Sequence, residues 1–472
     1  MIGGAGRVAC GVGEAMAGSA GAVAGLVAGC GRRVVGGAMA GWAGGRTRIG
    51  AIGVAVMAMA AVHGGGAGVQ AQAIALAGGL VFPISSEPLP GGTVLIVDGR
   101  IAAVGLDVDV PAGAEIVDVT GSVVMPGIID AMSYYGVAGE DMNEVPNPLT
   151  PELRIIEAFS PFGDFGTGEA GEIRVRELLQ GGVTAMYVGP GDATVIGGQG
   201  AVVKTAGARF DDLIVREPAA IDITLGGRPA ATYREQSRSP STRMAVVAQL
   251  RELLVRAREW LDASGAGAGE AGPRNLGMEA LARLLKGEIP ARVQANAARD
   301  IRVAMELSEE FGFQLVIDGG AGAHEMRDEL ADWGVPVVLG PISHPYVSGE
   351  EIPDPGDYGG VDERNAVWLH EAGVHVSLAS FSRGFGPFGP GVAGQWLLID
   401  ASIARGHGMS EADVLRAVTL SPAEVLGVAG RMGSLEVGKD ADVVVFDGDP
   451  LSIRTWASRV YVNGRLVYER QE

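Results

Sequence analysis

Short apolar runs separated by turn residues occupy both ends of the body of the chain, and between them apolar strand-length runs alternate with amphipathic helical stretches. On the N-terminal side Thr93 to Val97, Ile101 to Val104 and Glu115 to Val119 read as strands, and Asp98-Gly99 reads as a two-residue hairpin turn. The C-terminal side has the same style, with Asp442 to Phe446, Val460 to Val462, a second turn at Asn463-Gly464, and Arg465 to Tyr468. In the middle, eight strand candidates follow one another: Ile128 to Met132, Thr184 to Val188, Ala201 to Val203, Ile221 to Leu225, Arg292 to Asn296, Gln314 to Asp318, Pro336 to Leu339 and Val374 to Ala379. Helical spacing of apolar residues predicts helices over Thr242 to Ala263, Met278 to Lys286, Arg299 to Phe311, Glu325 to Trp333 and Glu363 to Ala372. Ser410 opens another helix, and Ser421-Pro422-Ala423-Glu424 reads as a capping box with proline at the first helical position. Ser264 to Pro273 is a Gly/Ala loop. This alternation, over roughly 300 residues, is the length of a (β/α)8 barrel with insertions, so the fold class expected is α/β.

The stretch from Gly121 to Gly136, G-S-V-V-M-P-G-I-I-D-A-M-S-Y-Y-G, joins the two regimes. Val123 to Met125 closes one apolar run, Pro126-Gly127 turns the backbone, and Ile128-Ile129-Asp130 begins a run without surface alternation. Such a run is buried on both faces, as in a parallel sheet.

Composition narrows the function classes. A chain of 472 residues with 47% apolar content can bury a barrel-sized core plus a smaller domain. Cys10 and Cys30 are the two cysteines, both upstream of the globular part, which leaves no disulfide framework and no cysteine metal site. Net charge is −20; five arginines against one glutamate give residues 1–73 a charge of +4, so the remainder carries −24. Without a basic footprint, nucleic acid is not an expected partner.

Residues 1–73 are rich in Gly and Ala and hold two apolar stretches, Ala15 to Gly29 and Ile49 to Val62, both short for a membrane span. The second, with Arg46 and Arg48 before it and Ala71-Gln72-Ala73 after it, has the parts of a secretory signal, which predicts a mature chain starting near Ile74 in the periplasm or outside the cell, without a membrane span. Val27-Ala28-Gly29-Cys30 is a competing lipoprotein box.

Three segments together resemble the amidohydrolase superfamily, in particular its imidazolonepropionase-like bacterial members: the Gly121 to Gly136 stretch, D-G-R-I-A-A-V-G (Asp98 to Gly105), and G-S-L-E-V-G-K-D-A-D-V-V-V-F-D-G-D-P-L (Gly433 to Leu451). The resemblance implies a TIM-like barrel over 126–424 and a flanking β-sandwich built from 74–125 and 425–472. It also implies metal-dependent hydrolysis of C–N bonds, with zinc or another divalent metal as cofactor.

In that family P-G-x-I-D is followed by x-His-x-His; here those positions are Met132 and Tyr134. Alternate residues on a strand point the same way, so the geometry is kept while the ligand chemistry is not: a thioether is a soft ligand and a phenol near its ordinary pKa a poor one. Gln294 and Asn296 occupy the fifth-strand positions, Gly319 the sixth-strand histidine position, and Phe381, or Ser380 with a one-residue slip, the eighth-strand aspartate position. No tightly held metal is therefore expected.

Two readings stand open. One is an active hydrolase with a changed site around Lys204, Asp318 and His324, in which Lys204 would be carboxylated to bridge metals; the other is a non-catalytic barrel that keeps its pocket for a small molecule, or partners an intact relative or a second copy of itself. In the second reading Lys204 is simply held by a carboxylate at the barrel mouth, while Met132 and Phe381 pack inward and Gln294 and Asn296 bond to each other or to Tyr134. Glu140, Asp141 and Glu144 offer carboxylates on a loop, and His344, His370, His375 and His407 are scattered. The Gly-rich segment before Lys204 lacks the glycine that precedes a P-loop lysine, and G-x-S-x-G, H-E-x-x-H and a dinucleotide fingerprint are absent.

Overall fold

The protein was analysed as a computed structural model, in which residues 73–137, 141–160, 169–265, 274–342, 362–381 and 393–471 are described. The leader, Cys10, Cys30, Glu140 and His344 lie outside the described residues.

Five strands lead into the barrel: β1 (Ala73–Val81), β2 (Leu89–Val97), β3 (Arg100–Gly105), β4 (Glu115–Asp118) and β5 (Val123–Pro126). Eight strands then form the barrel sheet: β6 (Ile128–Ser133), β7 (Val183–Val188), β8 (Ile196–Lys204), β9 (Ile214–Thr224), β10 (Ala291–Ala295), β11 (Leu315–Gly319), β12 (Val337–Leu339) and β13 (Val376–Leu378). Last come β14 (Val443–Phe446), β15 (Ala457–Val462) and β16 (Arg465–Glu469). The chain is a TIM-like α/β barrel with a flanking β unit from both ends.

The two ends are joined strand to strand. β14 pairs antiparallel with β5, Val444 opposite Met125, giving one sheet in the order β16-β15-β14-β5-β1-β2-β3 with β4 beside β1. Both predicted hairpin turns form, and they touch: a Cβ on Gly99 would lie 2.7 Å from the Asn463 carbonyl oxygen, and one on Gly464 would lie 2.7 Å from Gly99 Cα. With positive φ at both, glycine alone fits this crossing of two turns from opposite ends of the chain.

Within the barrel, consecutive strands pair in sequence order from β6 to β13, and the ends nearly close through Phe381 N–H to the Met132 carbonyl, 3.0 Å. Seven strands share one direction. β8 runs antiparallel to both β7 and β9, because residues 189–195 are too few for a crossover helix. That reversal also lengthens β8 and β9 to 9 and 11 residues, beyond the short runs read from the sequence.

Helix 298–311 buries Ile301, Ala304, Met305, Leu307 and Phe311 and ends at Gly312, left-handed at φ 75°. Ser410 caps the helix Glu411–Ala417 as expected, its side chain accepting from the Asp413 N–H. The capping box at Ser421 does not form: the helix there already starts at Leu420, Thr419 precedes it, and Glu424 instead accepts from Arg416. The Glu325 to Trp333 segment is split into a 3-10 turn, Ala323–Met326, and a helix, Arg327–Trp333.

Candidate functional site at the barrel mouth

The carboxyl ends of parallel barrel strands form the mouth at which such folds place their chemistry. Met132 and Tyr134 project from the end of β6 and are buried at 3% and 1% exposure. Gln294 and Asn296 are half-buried at the end of β10. Gln294 Nε2 donates to Asp192 Oδ2 at 3.3 Å, and Arg228, at the start of the helix Gly227–Glu235, lies 3.4 Å from the other Asp192 oxygen. Asn296 Oδ1 accepts from the Ala321 N–H at 3.4 Å. A Cβ on Gly319 would stand 2.4 Å from that Oδ1, so Gly319 leaves room for Asn296. Phe381 is half-buried against the core, at a left-handed φ of 47°. Beside it Ser380 donates through both N–H and Oγ to Asp130, whose carboxyl is lifted by burial to about 6.

The bonding expected between Gln294, Asn296 and Tyr134 is thus replaced by bonds to Asp192 and to the Ala321 backbone. Beneath them lies a charged cluster. Arg292 and Gln294 sit two apart on β10; Arg292 is level with Asp222 on β9, and Gln294 with Asp318 on β11. Arg292, 2% exposed, donates Nε to Asp318 Oδ2 at 2.9 Å and Nη2 to Oδ1 at 2.8 Å. The Tyr187 ring covers its guanidinium at 3.9 Å, and the Tyr187 hydroxyl donates to Asp222 Oδ2 at 2.6 Å. A Cβ placed on Gly189 would meet Tyr187 Cε1 at 3.0 Å and both Asp222 Oδ1 and Met132 Cε at 3.1 Å, so Met132, Tyr187 and Asp222 all border Gly189.

Electrostatics follow from burial and partners. Burial lifts the Asp222 carboxyl to about 7, with Asp318 adding to the rise and Arg292 and the Tyr187 hydrogen bond opposing it. Burial also pushes the Tyr187 phenol well above its usual range. Burial works against the Arg292 charge, but Asp318, Tyr187 and Asp222 outweigh it and hold the guanidinium charged.

Lys204, Asp318 and His324 do not converge. β8 is reversed, so Lys204 sits opposite Ala185 near the start of β7, at the foot of the barrel rather than its mouth. There its Nζ, 1% exposed, contacts Asp440 at 3.0 Å and Asp442 at 2.9 Å and donates to Asn463. Asp318 is taken up by Arg292. His324 packs against Trp368, ring centroids 5.2 Å apart, in the 3-10 turn after β11. His370, His375 and His407 pair with Asp413, Glu424 and Glu363 in three separate places, and Asp141 and Glu144 are exposed. The residues the sequence reading missed are Tyr187, Asp222 and Arg292; the available signal was a charged residue inside an apolar strand run, as in A-A-I-D-I-T and A-R-V-Q-A.

The amidohydrolase family pattern matches residues 169–467. The chain belongs to the amidohydrolase family. A crystal structure of an amidohydrolase from Thermotoga maritima MSB8 is similar at 32% identity and TM-score 0.75, covering 84% of this chain and 100% of that one. Imidazolonepropionase of Geobacillus sp. is 25% identical over 80% of this chain and 90% of its own length. Amidohydrolase tasK of Hapsidospora irregularis is 25% identical over 82% of this chain but 42% of that protein.

Among the described residues, those at the positions that the family resemblance assigns to metal ligands do not fit the divalent metal that the family implies. The six ligand positions offer a thioether, a phenol, two amides, a glycine and a phenyl ring, whereas zinc takes imidazole, thiolate or carboxylate donors, three or four together. Among the described residues no three His, Cys, Asp or Glu side chains come together as a metal site.

Proposed function

We propose that this amidohydrolase-family protein is a non-catalytic barrel that binds a small molecule at its mouth or serves as a partner subunit, rather than hydrolysing a C–N bond. The observation that carries the reading is the donor set at the six ligand positions. Without a metal-activated water and an eighth-strand carboxylate, the family's reaction has neither nucleophile nor proton carrier. What supports retention of a binding role is the polar rim: Asp192, Arg228, Gln294 and Asn296 come from the loop after β7, the helix after β9 and the end of β10, and such placed polar groups orient a ligand.

Metal analysis of purified protein tests it, together with turnover of simple amides and cyclic amides. Less than one equivalent of zinc and no turnover are expected. Stoichiometric metal, or hydrolysis that disappears with a chelator, would overturn the reading. Export to the periplasm or beyond belongs to the same proposal and is tested by mass spectrometry of the secreted chain, which should begin near Ile74; an intact leader or a lipid on Cys30 would refute it.

A further inference from the structure

A divalent ion at a barrel mouth does two things for its surroundings: it compensates buried acids and fixes their orientation. In this barrel Arg292 is placed to do both. It rises from β10 beneath Gln294 and clasps Asp318, which is level with Gln294 in the sheet. Its face is covered by Tyr187, Tyr187 bonds Asp222, and Asp222 and Met132, the first of the positions that the resemblance assigns to metal ligands, both border Gly189. The guanidinium therefore belongs to one contiguous cluster with two buried carboxyls and the volume that family ligands would face. Its Nη1 is buried and meets no acceptor among the described residues.

The geometry points to Arg292 as a covalently held cation that takes over the charge role of the family's metal ions and keeps divalent metals out of the barrel. A second cation within a few ångströms of the guanidinium would meet strong repulsion in a water-poor interior. The inference rests on the reading that the mouth holds no metal but fails separately from it: metal content of the unmodified protein tests that reading, and the behaviour of Arg292 variants tests this one.

Arg292→Ala leaves Asp222 and Asp318 uncompensated, with oxygens of Gln294 and Tyr187 nearby. That is a hard-oxygen set of the kind that suits manganese or magnesium. Thermal melts of the full chain, with manganese or with a chelator, give the readout. The unmodified protein should melt at the same temperature in both. Arg292→Ala should melt lower by roughly 5 °C in chelator and recover in manganese. Arg292→Lys, which keeps the charge and loses the two-pronged bond, should be less stable without responding to manganese. Indifference of Arg292→Ala to the ion, or an equal response from Arg292→Lys, would overturn the inference. If Arg292→Ala is recovered only as aggregates, refolding yield with and without manganese replaces the melt, and an unchanged yield counts against the inference equally.

Discussion

The Tyr187 hydroxyl donates to Asp222 Oδ2 at 2.6 Å inside the barrel, and the Arg292 guanidinium lies over the same Tyr187 ring. The pair links a carboxyl that burial lifts to about 7 to a phenol that burial pushes well above its usual range, with a fixed cation on one side.

Stability should therefore depend on pH in a particular direction. Asp222 is lifted by burial to about 7, whereas in the unfolded chain it titrates near the ordinary value of about 3.9. Between those values the folded state holds a proton that the unfolded state has released, so the contribution is fully present below about pH 4 and lost as pH rises through 7. Asp130, lifted by burial to about 6, acts in the same sense. Asp222 alone should account for a loss on the order of 3 kcal/mol from pH 4 to 7, with Asp130 adding on the order of 2, read by urea denaturation across pH. Asp222→Asn should flatten the profile; a profile unchanged by that substitution would remove Asp222 as its source.

Lys204 is fully buried with Asp440 and Asp442, and joins β8 of the barrel to the segment leading into β14. Lys204→Met should destabilise the protein by about 3 to 5 kcal/mol, because Asp442 would lose its cation while Asp440 keeps Arg431 at 2.8 Å. Lys204→Met with Asp442→Asn should regain part of that loss. Chemical denaturation measures both, and a neutral Lys204→Met would mean that the cluster holds nothing together.

How much of this was legible in the sequence depends on which physical signal each feature leaves. Part of each of the eight barrel strands was legible because burial on both faces writes a mostly apolar run, and the Asp98-Gly99 and Asn463-Gly464 hairpins because a tight turn demands those residues. The direction of β8 was not, since periodicity carries no sign; the seven residues between β7 and β8 were the available hint. That reversal moved Lys204 from mouth to foot. The Ser421 box failed because the helix starts two residues earlier, at Leu420, which packs at 7% exposure. The Arg292 cluster was hidden for a different reason: its members lie on β7, β9, β10 and β11, and only three-dimensional register brings Tyr187, Asp222, Arg292 and Asp318 together.

Gly319 is held at φ 86°, and a Cβ there would sit 2.4 Å from Asn296 Oδ1. Gly319→Ala should cost about 1 to 3 kcal/mol through both the left-handed backbone and the displaced amide. It should also loosen the Asn296 bond to the Ala321 N–H. Denaturation midpoint and exchange of the Ala321 amide report the two effects, and a variant as stable as the parent would show that the loop relaxes freely.

Restoring the first-strand histidines alone should not restore a metal site. Met132→His with Tyr134→His would return the H-x-H pair at the end of β6, both on the face that points into the barrel. Two imidazoles give two donors, and zinc needs at least one more from the protein. Gln294, Asn296, Gly319 and Phe381 supply neither imidazole nor carboxylate, and the buried acids of the barrel are engaged, Asp130 by Ser380, Asp222 by Tyr187 and Asp318 by Arg292. Both replaced side chains are buried, so two imidazoles in their place should also lower stability by about 1 to 3 kcal/mol. The double variant should therefore bind less than one equivalent of zinc after dialysis, by elemental analysis, and show no zinc-dependent rise in melting temperature. Combining it with Arg292→Ala should raise zinc retention, because the repelling charge is gone and the Asp318 carboxylate is released. Tight stoichiometric zinc in the histidine double variant with Arg292 intact would mean that the metal volume is still open, and that the substitutions on β6 by themselves account for its loss.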